Sequence, residues 1–313
     1  MGFSSAPKLP SNPHRWLRVS CALVLALLVA PASNAQEMTA LQKVQALGNP
    51  TLAGRVTVYY SPGYEKRAQE LQSTIEEAMG FYERNLKVKA DLNLAVLTPE
   101  QWAQARKSPY GLPGFSESPN VIFLPATATG VVTRGTLGRE GSISPATLAK
   151  IASTGYSFEQ GAVELTDLIA MHELGHVYAI GLGLHPTRLN KWFSEFLGSY
   201  LAYAYLRQEH PELATLFHAM AADVAMEGPR PQYTSLEDFE RLYTGVGPGN
   251  YSWYQGRFLQ RVAQVYERKG LSFIPEVRAA FPAPEQVAPP VAVVLQRLEK
   301  ISPGFIEWSE DMR

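Results

Sequence analysis

The sequence predicts an α+β fold, a mixed strand-and-helix half followed by an all-helical half. Strand-like runs of β-branched and aromatic residues lie only upstream of Ala126, and helical spacing of apolar residues dominates from Thr166 onward. Strands and helices segregated in this way favour α+β over an alternating βαβ chain. With 313 residues, 46% hydrophobic and 18% charged, the chain is long and apolar enough for one globular domain with a substantial core.

The first element stands outside that fold. Arg15 and Arg18 precede an apolar run from Val19 to Ala30, Pro31 breaks it, and Ser33-Asn34-Ala35 offers small residues to a signal peptidase. Residues 1–35 are therefore expected to be a secretory signal peptide cleaved after Ala35. Its apolar run of about 12 residues is short for a bilayer span. No later stretch is longer, so no stable membrane span is expected after cleavage. The one cysteine, Cys21, lies in this leader. The mature chain then has no disulfide and no thiolate ligand, and any metal site must be built from histidines and carboxylates. Export without disulfides points to a bacterial periplasm or exterior. A formal net charge of -1 gives no footprint for nucleic acid.

Residues 36–313 are expected to form a single domain with two lobes, 36–183 and 184–313. Gln36 to Pro50 is a lead-in with helical character from Met38 to Leu47. Arg55 to Tyr60 reads R-V-T-V-Y-Y, a strand ended by Ser61-Pro62-Gly63. Glu65 to Leu86 follows as an amphipathic helix, with Ala68, Leu71, Ile75, Ala78 and Phe81 on one face. Asp91 to Leu97 is a second strand, Pro99-Glu100 opens a short helix around Trp102, Gly111 to Pro119 is a loop, and Asn120 to Leu124 is a third strand. Ala126 to Ser144 is rich in Gly and Thr and shows no period. Helices are then expected over about 166–180, 190–208, 211–225, 235–243, 251–268 and 285–299.

Met171 to His176 reads M-H-E-L-G-H. On a helix, His172 and His176 stand one turn apart on one face, so both imidazoles can reach a single ion. Glu173 is turned by roughly 100° from His172, where it can touch a water beside the ion without binding the ion itself. The flanks L-I-A-M and V-Y-A-I are apolar on all sides. That predicts a buried helix, in which unpaired imidazoles would be costly.

A second motif supplies a third donor. Lys191 to Tyr203 reads K-W-F-S-E-F-L-G-S-Y-L-A-Y, and Glu195 falls 19 residues after His176. The pair of motifs resembles the gluzincin zinc metallopeptidases, especially their aminopeptidase-N-like branch, in which a glutamate ligand follows the second histidine at that distance in a W-x-N-E-G-F-A-x-Y context. Trp192 and Tyr200 stand at the matching offsets, while Ser194 replaces the Asn and Phe196-Leu197-Gly198 the Gly-Phe-Ala. The resemblance implies a thermolysin-like zincin with an active-site cleft between the lobes and one zinc per chain. His172, His176 and Glu195 would be its ligands, Glu173 the general base, and a peptide or protein the substrate. No G-x-M-E-N segment is present, so the exopeptidase signature is missing.

The resemblance also implies a tyrosine that steadies the oxyanion. Asn250 to Leu259 reads N-Y-S-W-Y-Q-G-R-F-L, which makes Tyr254 the first candidate and Tyr251 the second, with His185 of the G-L-G-L-H-P turn as a third. The strand 120–124 is the counterpart of the edge strand along which such enzymes bind substrate backbone. His210 and His218 are expected at the surface, and Asp167 as an acid near a helix start. The alternative left open is a non-catalytic binding or assembly module with a gluzincin-like fold and a structural zinc.

Overall fold

The computed structural model describes residues 37–184, 190–282 and 287–313. The expected leader and His185 lie outside the described residues. The architecture is α+β, helix-rich with one small mixed sheet.

The chain opens with α1 (Ala40–Ala46), capped by Thr39 and Gln42 in a reciprocal box, and β1 (Thr51–Leu52) and β2 (Thr57–Tyr60) follow. Next come α2 (Glu65–Leu86), β3 (Asn93–Leu97), α3 (Pro99–Ala105), β4 (Gly114–Ser116) and β5 (Val121–Pro125). The strand order is β1-β2-β3-β5-β4, with β2, β3 and β5 parallel and both edges antiparallel. The parallel strands are joined by helices that cover opposite faces. Leu94, Val96, Ile122 and Leu124 turn toward α2 and the helical core, whereas Ala95, Leu97, Val121 and Phe123 turn toward Val44 of α1 and Trp102 and Ala105 of α3. This is the period-2 alternation of a sheet buried on both sides.

One expectation is corrected here. Residues 121–125 are an inner strand between β3 and β4, and the free edge on that side belongs to β4. β4 lies inside the stretch expected to be a loop. Gly-Phe-Ser is too short to show a period, and only pairing with β5 makes it a strand.

The remaining helices are α4 (Val131–Leu137), α5 (Pro145–Ala152), α6 (Phe158–Gly181), α7 (Lys191–Glu209) and α8 (Pro211–His218). A π-turn over Ala219–Asp223 leads into α9 (Val224–Met226). They are followed by α10 (Leu236–Leu242), α11 (Pro248–Lys269), α12 (Phe273–Ala280), α13 (Val291–Ile301) and α14 (Phe305–Asp311). α4 occupies the stretch expected to show no period, α5 lies between that stretch and the first helix expected beyond it, and α13 begins after Pro290 instead of near 285. Met38–Arg313 is one compact unit. Among the described residues no helix is long and apolar enough to cross a membrane.

α6 and α7 form the centre of the helical core. α6 starts well before the expected position, because Ser157 caps it: its hydroxyl accepts from Gln160 N at 3.1 Å while Gln160 Oε1 accepts from Ser157 N at 2.8 Å. The added turns bury Phe158, Ala162 and Leu165. Asp167 thus falls within the helix and not near its start, and its carboxylate pairs with both terminal nitrogens of Arg67 on α2. At the start of α7, Glu240 of α10 takes over the capping role, its Oε1 accepting from Trp192 N at 2.8 Å. A carboxylate in that position also complements the helix dipole.

Candidate metal centre

Two glycines set the distance between the helices that carry the site. A Cβ on Gly175 of α6 would run into the carbonyl of Gly198 on α7. A Cβ on Gly198 would stand 3.0 to 3.1 Å from ring atoms of both His172 and His176. The backbones therefore approach as only glycine permits. Glu195, one turn before Gly198, is thereby brought against the imidazoles.

His172, His176 and Glu195 form a group that could hold a metal ion. His172 Nε2 lies 3.2 Å and His176 Nε2 3.8 Å from Glu195 Oε2, and the two Nε2 atoms are 3.0 Å apart. Donors about 2.0–2.2 Å from a tetrahedral ion stand roughly 3.3–3.6 Å from one another, so the triangle matches that size to within a few tenths of an ångström. The rings cross at 89° with their centres 4.6 Å apart. The other ring nitrogens are held from behind: His172 Nδ1 lies 3.0 Å from Ser199 Oγ, and His176 Nδ1 lies 3.4 Å from Ser194 Oγ. With Nδ1 donating to Ser199, Nε2 of His172 keeps its lone pair for an ion. Hard carboxylate and borderline imidazole donors suit a divalent ion.

Glu195 is held as firmly as a ligand needs to be. Its Oε1 accepts from Tyr243 Oη at 2.6 Å and its Oε2 from Gln255 Nε2 at 2.8 Å. Burial alone would push this carboxyl up, but hydrogen bonds from His172 and His176 outweigh it and hold the group well below the usual carboxylate range. At His176 burial acts to lower the imidazole, and the bond and charge of Glu195 raise it above its ordinary value. Three donor atoms so placed could hold a cation once the imidazoles are neutral.

Glu173 sits one residue past His172, partly exposed. Among the described residues no side chain donates a hydrogen bond to it, and its charge is felt by His176, Tyr243 and Arg106. A carboxylate beside the donor triangle, unbound to it and open to solvent, can take a proton from a water held there.

The structure does not bring Tyr254 to this group. Its hydroxyl donates to Ser235 O at 2.7 Å, and its ring packs 4.8 Å from that of Phe239. Tyr254 points toward α10, a turn of about 100° away from its neighbour Gln255. Tyr251, one turn before Gln255, shares its face, and its ring stacks on Phe239 at 5.8 Å beside Tyr243. The tyrosine that does touch the site is Tyr243, which the sequence reading passed over. Its backbone has φ 49° and ψ -120°, a region L-residues rarely occupy and one that costs about 1–3 kcal/mol. That conformation ends α10 and turns the side chain onto Glu195. Burial first, then the negative Glu195, push its hydroxyl far up, so it remains a hydrogen-bond donor throughout the physiological range. A Tyr–Gln pair at one-turn spacing on 251 and 255 was visible in the sequence; Tyr243 carried no signal.

Of the other histidines, His210 Nε2 meets Glu77 at 2.9 Å, and His218 Nδ1 lies 3.0 Å from Lys150 Nζ and 3.4 Å from Asp223. With a side chain 18% exposed, His218 belongs to a partly buried charge cluster instead of the open surface. No family model matches the chain, and no curated protein matches it.

Proposed function

We propose that the protein is an exported zinc metallopeptidase of gluzincin type, with a thermolysin-like catalytic fold and the cleft between its two lobes. The observation that carries this reading is the convergence of His172 Nε2, His176 Nε2 and Glu195 Oε2, with Glu173 unligated beside them. A bound zinc would supply a Lewis acid for the scissile carbonyl and make a water easier to deprotonate. The remaining work falls to the chain. Glu173 accepts the proton of the attacking water and passes it to the departing amine. Tyr243 and Gln255 keep Glu195 oriented and ionised, and Ser199 fixes the ring of His172. The free edge of β4 offers backbone donors and acceptors to an extended peptide.

The reading of a structural metal is opposed by the ligand number. Structural zinc sites use four protein ligands, and catalytic ones three with one position open. The group among the described residues has three. The test combines metal content with turnover. Wild type should hold about one zinc per chain and cleave peptides. His176→Ala should lose the metal, and Glu173→Gln should keep it while turnover falls by orders of magnitude. Full activity in Glu173→Gln would remove Glu173 from the mechanism, and zinc retained without peptide cleavage in wild type would favour the binding module.

A further inference from the structure

Behind β4, on the sheet face opposite α6, lies a cavity of about 460 Å³ between α1, the end of α3 and the β4 edge. Arg106 lines it, with Lys43, Lys107, Ser116, Ser118 and the one acid Glu117. Arg106 lies with its guanidinium carbon 5.1 Å from the Phe123 ring centre, and its Nε donates to Ser108 Oγ at 2.6 Å. Its Nη1 is buried without a hydrogen-bond partner, and no described side chain forms an ion pair with the guanidinium. Space for it is made by Gly114, where any Cβ would collide with Nη2. A buried, unmatched donor is costly, and a guanidinium matches a carboxylate by two parallel bonds.

We infer that this cavity binds a carboxylate carried by the peptide substrate, an inference that rests on the peptidase reading. The sheet register explains how one peptide would reach both places. Gly114 and Ser116 pair with Phe123 and Val121, whose side chains face α1 and α3, whereas Phe115 pairs with Ile122, which faces the α6 side. A strand added to the free edge of β4 alternates in the same way. One residue then turns to the metal-centre side, and its neighbour turns to Arg106. The two places are electrostatically adjacent, since Arg106 feels the charge of Glu173 and His176 that of Glu117. The protein should therefore prefer substrates with an acidic side chain, or a free chain end, next to the residue at the metal centre.

The experiment is calorimetric binding of blocked hexapeptide pools, each with one fixed Glu, against their Gln twins, to the Glu173→Gln protein, which binds without turning over. The Glu pool should bind about tenfold tighter or more at one position. That advantage should vanish in Arg106→Gln and shrink in Arg106→Lys, which keeps the charge but not the fork, with thermal unfolding checking that each variant folds. A preference seen only with unblocked C-termini, and lost on amidation, also supports the inference and assigns the carboxylate to the chain end. Equal binding of all twins, no binding at all, or a preference that survives in folded Arg106→Gln overturns it. Cleavage without Arg106-dependent binding sinks this inference alone; Arg106-dependent binding without cleavage in zinc-loaded wild type sinks the peptidase reading alone.

Discussion

Replacing Gly175 by Ala tests whether the closeness of α6 and α7 builds the metal centre. In a helix with room for a methyl group, Gly→Ala raises stability by about 0.5–1 kcal/mol. Gly135 on α4 provides that reference, since a Cβ there meets nothing within 4 Å. At Gly175 the added carbon overlaps the Gly198 carbonyl, and the obstacle is backbone, which cannot step aside by changing rotamer. Forcing such a contact in a packed core typically costs about 1–3 kcal/mol, which reverses the sign of the substitution. For a domain of roughly this size each kcal/mol moves Tm by about 2–4 °C. Gly175→Ala should therefore melt several degrees below wild type in chelator, while Gly135→Ala melts at or above it. Because the helices must separate, Glu195 leaves the imidazoles, and zinc affinity from chelator competition should fall at least as far as on loss of a supporting contact, about 10–100-fold. A Gly175→Ala protein that melts higher than wild type and binds zinc equally well would refute the argument that glycine spacing sets the site.

Tyr243→Phe removes the 2.6 Å bond to Glu195 and should lower zinc affinity about 10-fold or more, read in the same competition assay. Tyr254→Phe should leave that affinity unchanged and lower stability by about 0.5–1.5 kcal/mol, because the bond to Ser235 O is lost while that carbonyl still accepts from Phe239 N; the measurement is urea unfolding. Asp223 gives a pH test. Burial acts to raise its carboxyl, but bonds from His218 and Lys150 outweigh it and hold it below its ordinary value. Its stabilising contribution is thus fully present above about pH 4 and is lost as pH falls through the depressed folded value. The Tm gap between wild type and Asp223→Asn should close as pH falls through that region.

Much of this protein was legible in its sequence because the signals are local. The i,i+4 pair of His172 and His176 is fixed by the pitch of one helix, and α2 could be read residue by residue from a long apolar stripe. Glu195 was legible through a fixed distance along the chain. Boundaries and short pieces were not. The starts of α6 and α5 are set by short capping signals at Ser157 with Gln160 and at Ser144 with Pro145, too brief to show a period, and α4 lies in Gly- and Thr-rich sequence that packs beside α6.

What only the tertiary structure decided concerns groups distant in sequence. Tyr243 reaches Glu195 across a gap of 48 residues, and the turn that directs it there has an unusual backbone that no side-chain pattern announces. Tyr254 and Gln255 are neighbours in the chain, yet they face different partners because α11 is rotated to present Gln255 to Glu195. β4 is a strand only because β5 accepts it, and that pairing turns a loop-like segment into the open edge beside Arg106. The sequence by itself determined which donor atoms exist and which two share a helix face, because covalent spacing and helical pitch suffice for that. How closely Glu195 approaches them was settled by the packing of two glycine-paired helices, and what holds it there by residues of α11 and the turn after α10, all properties of the folded chain.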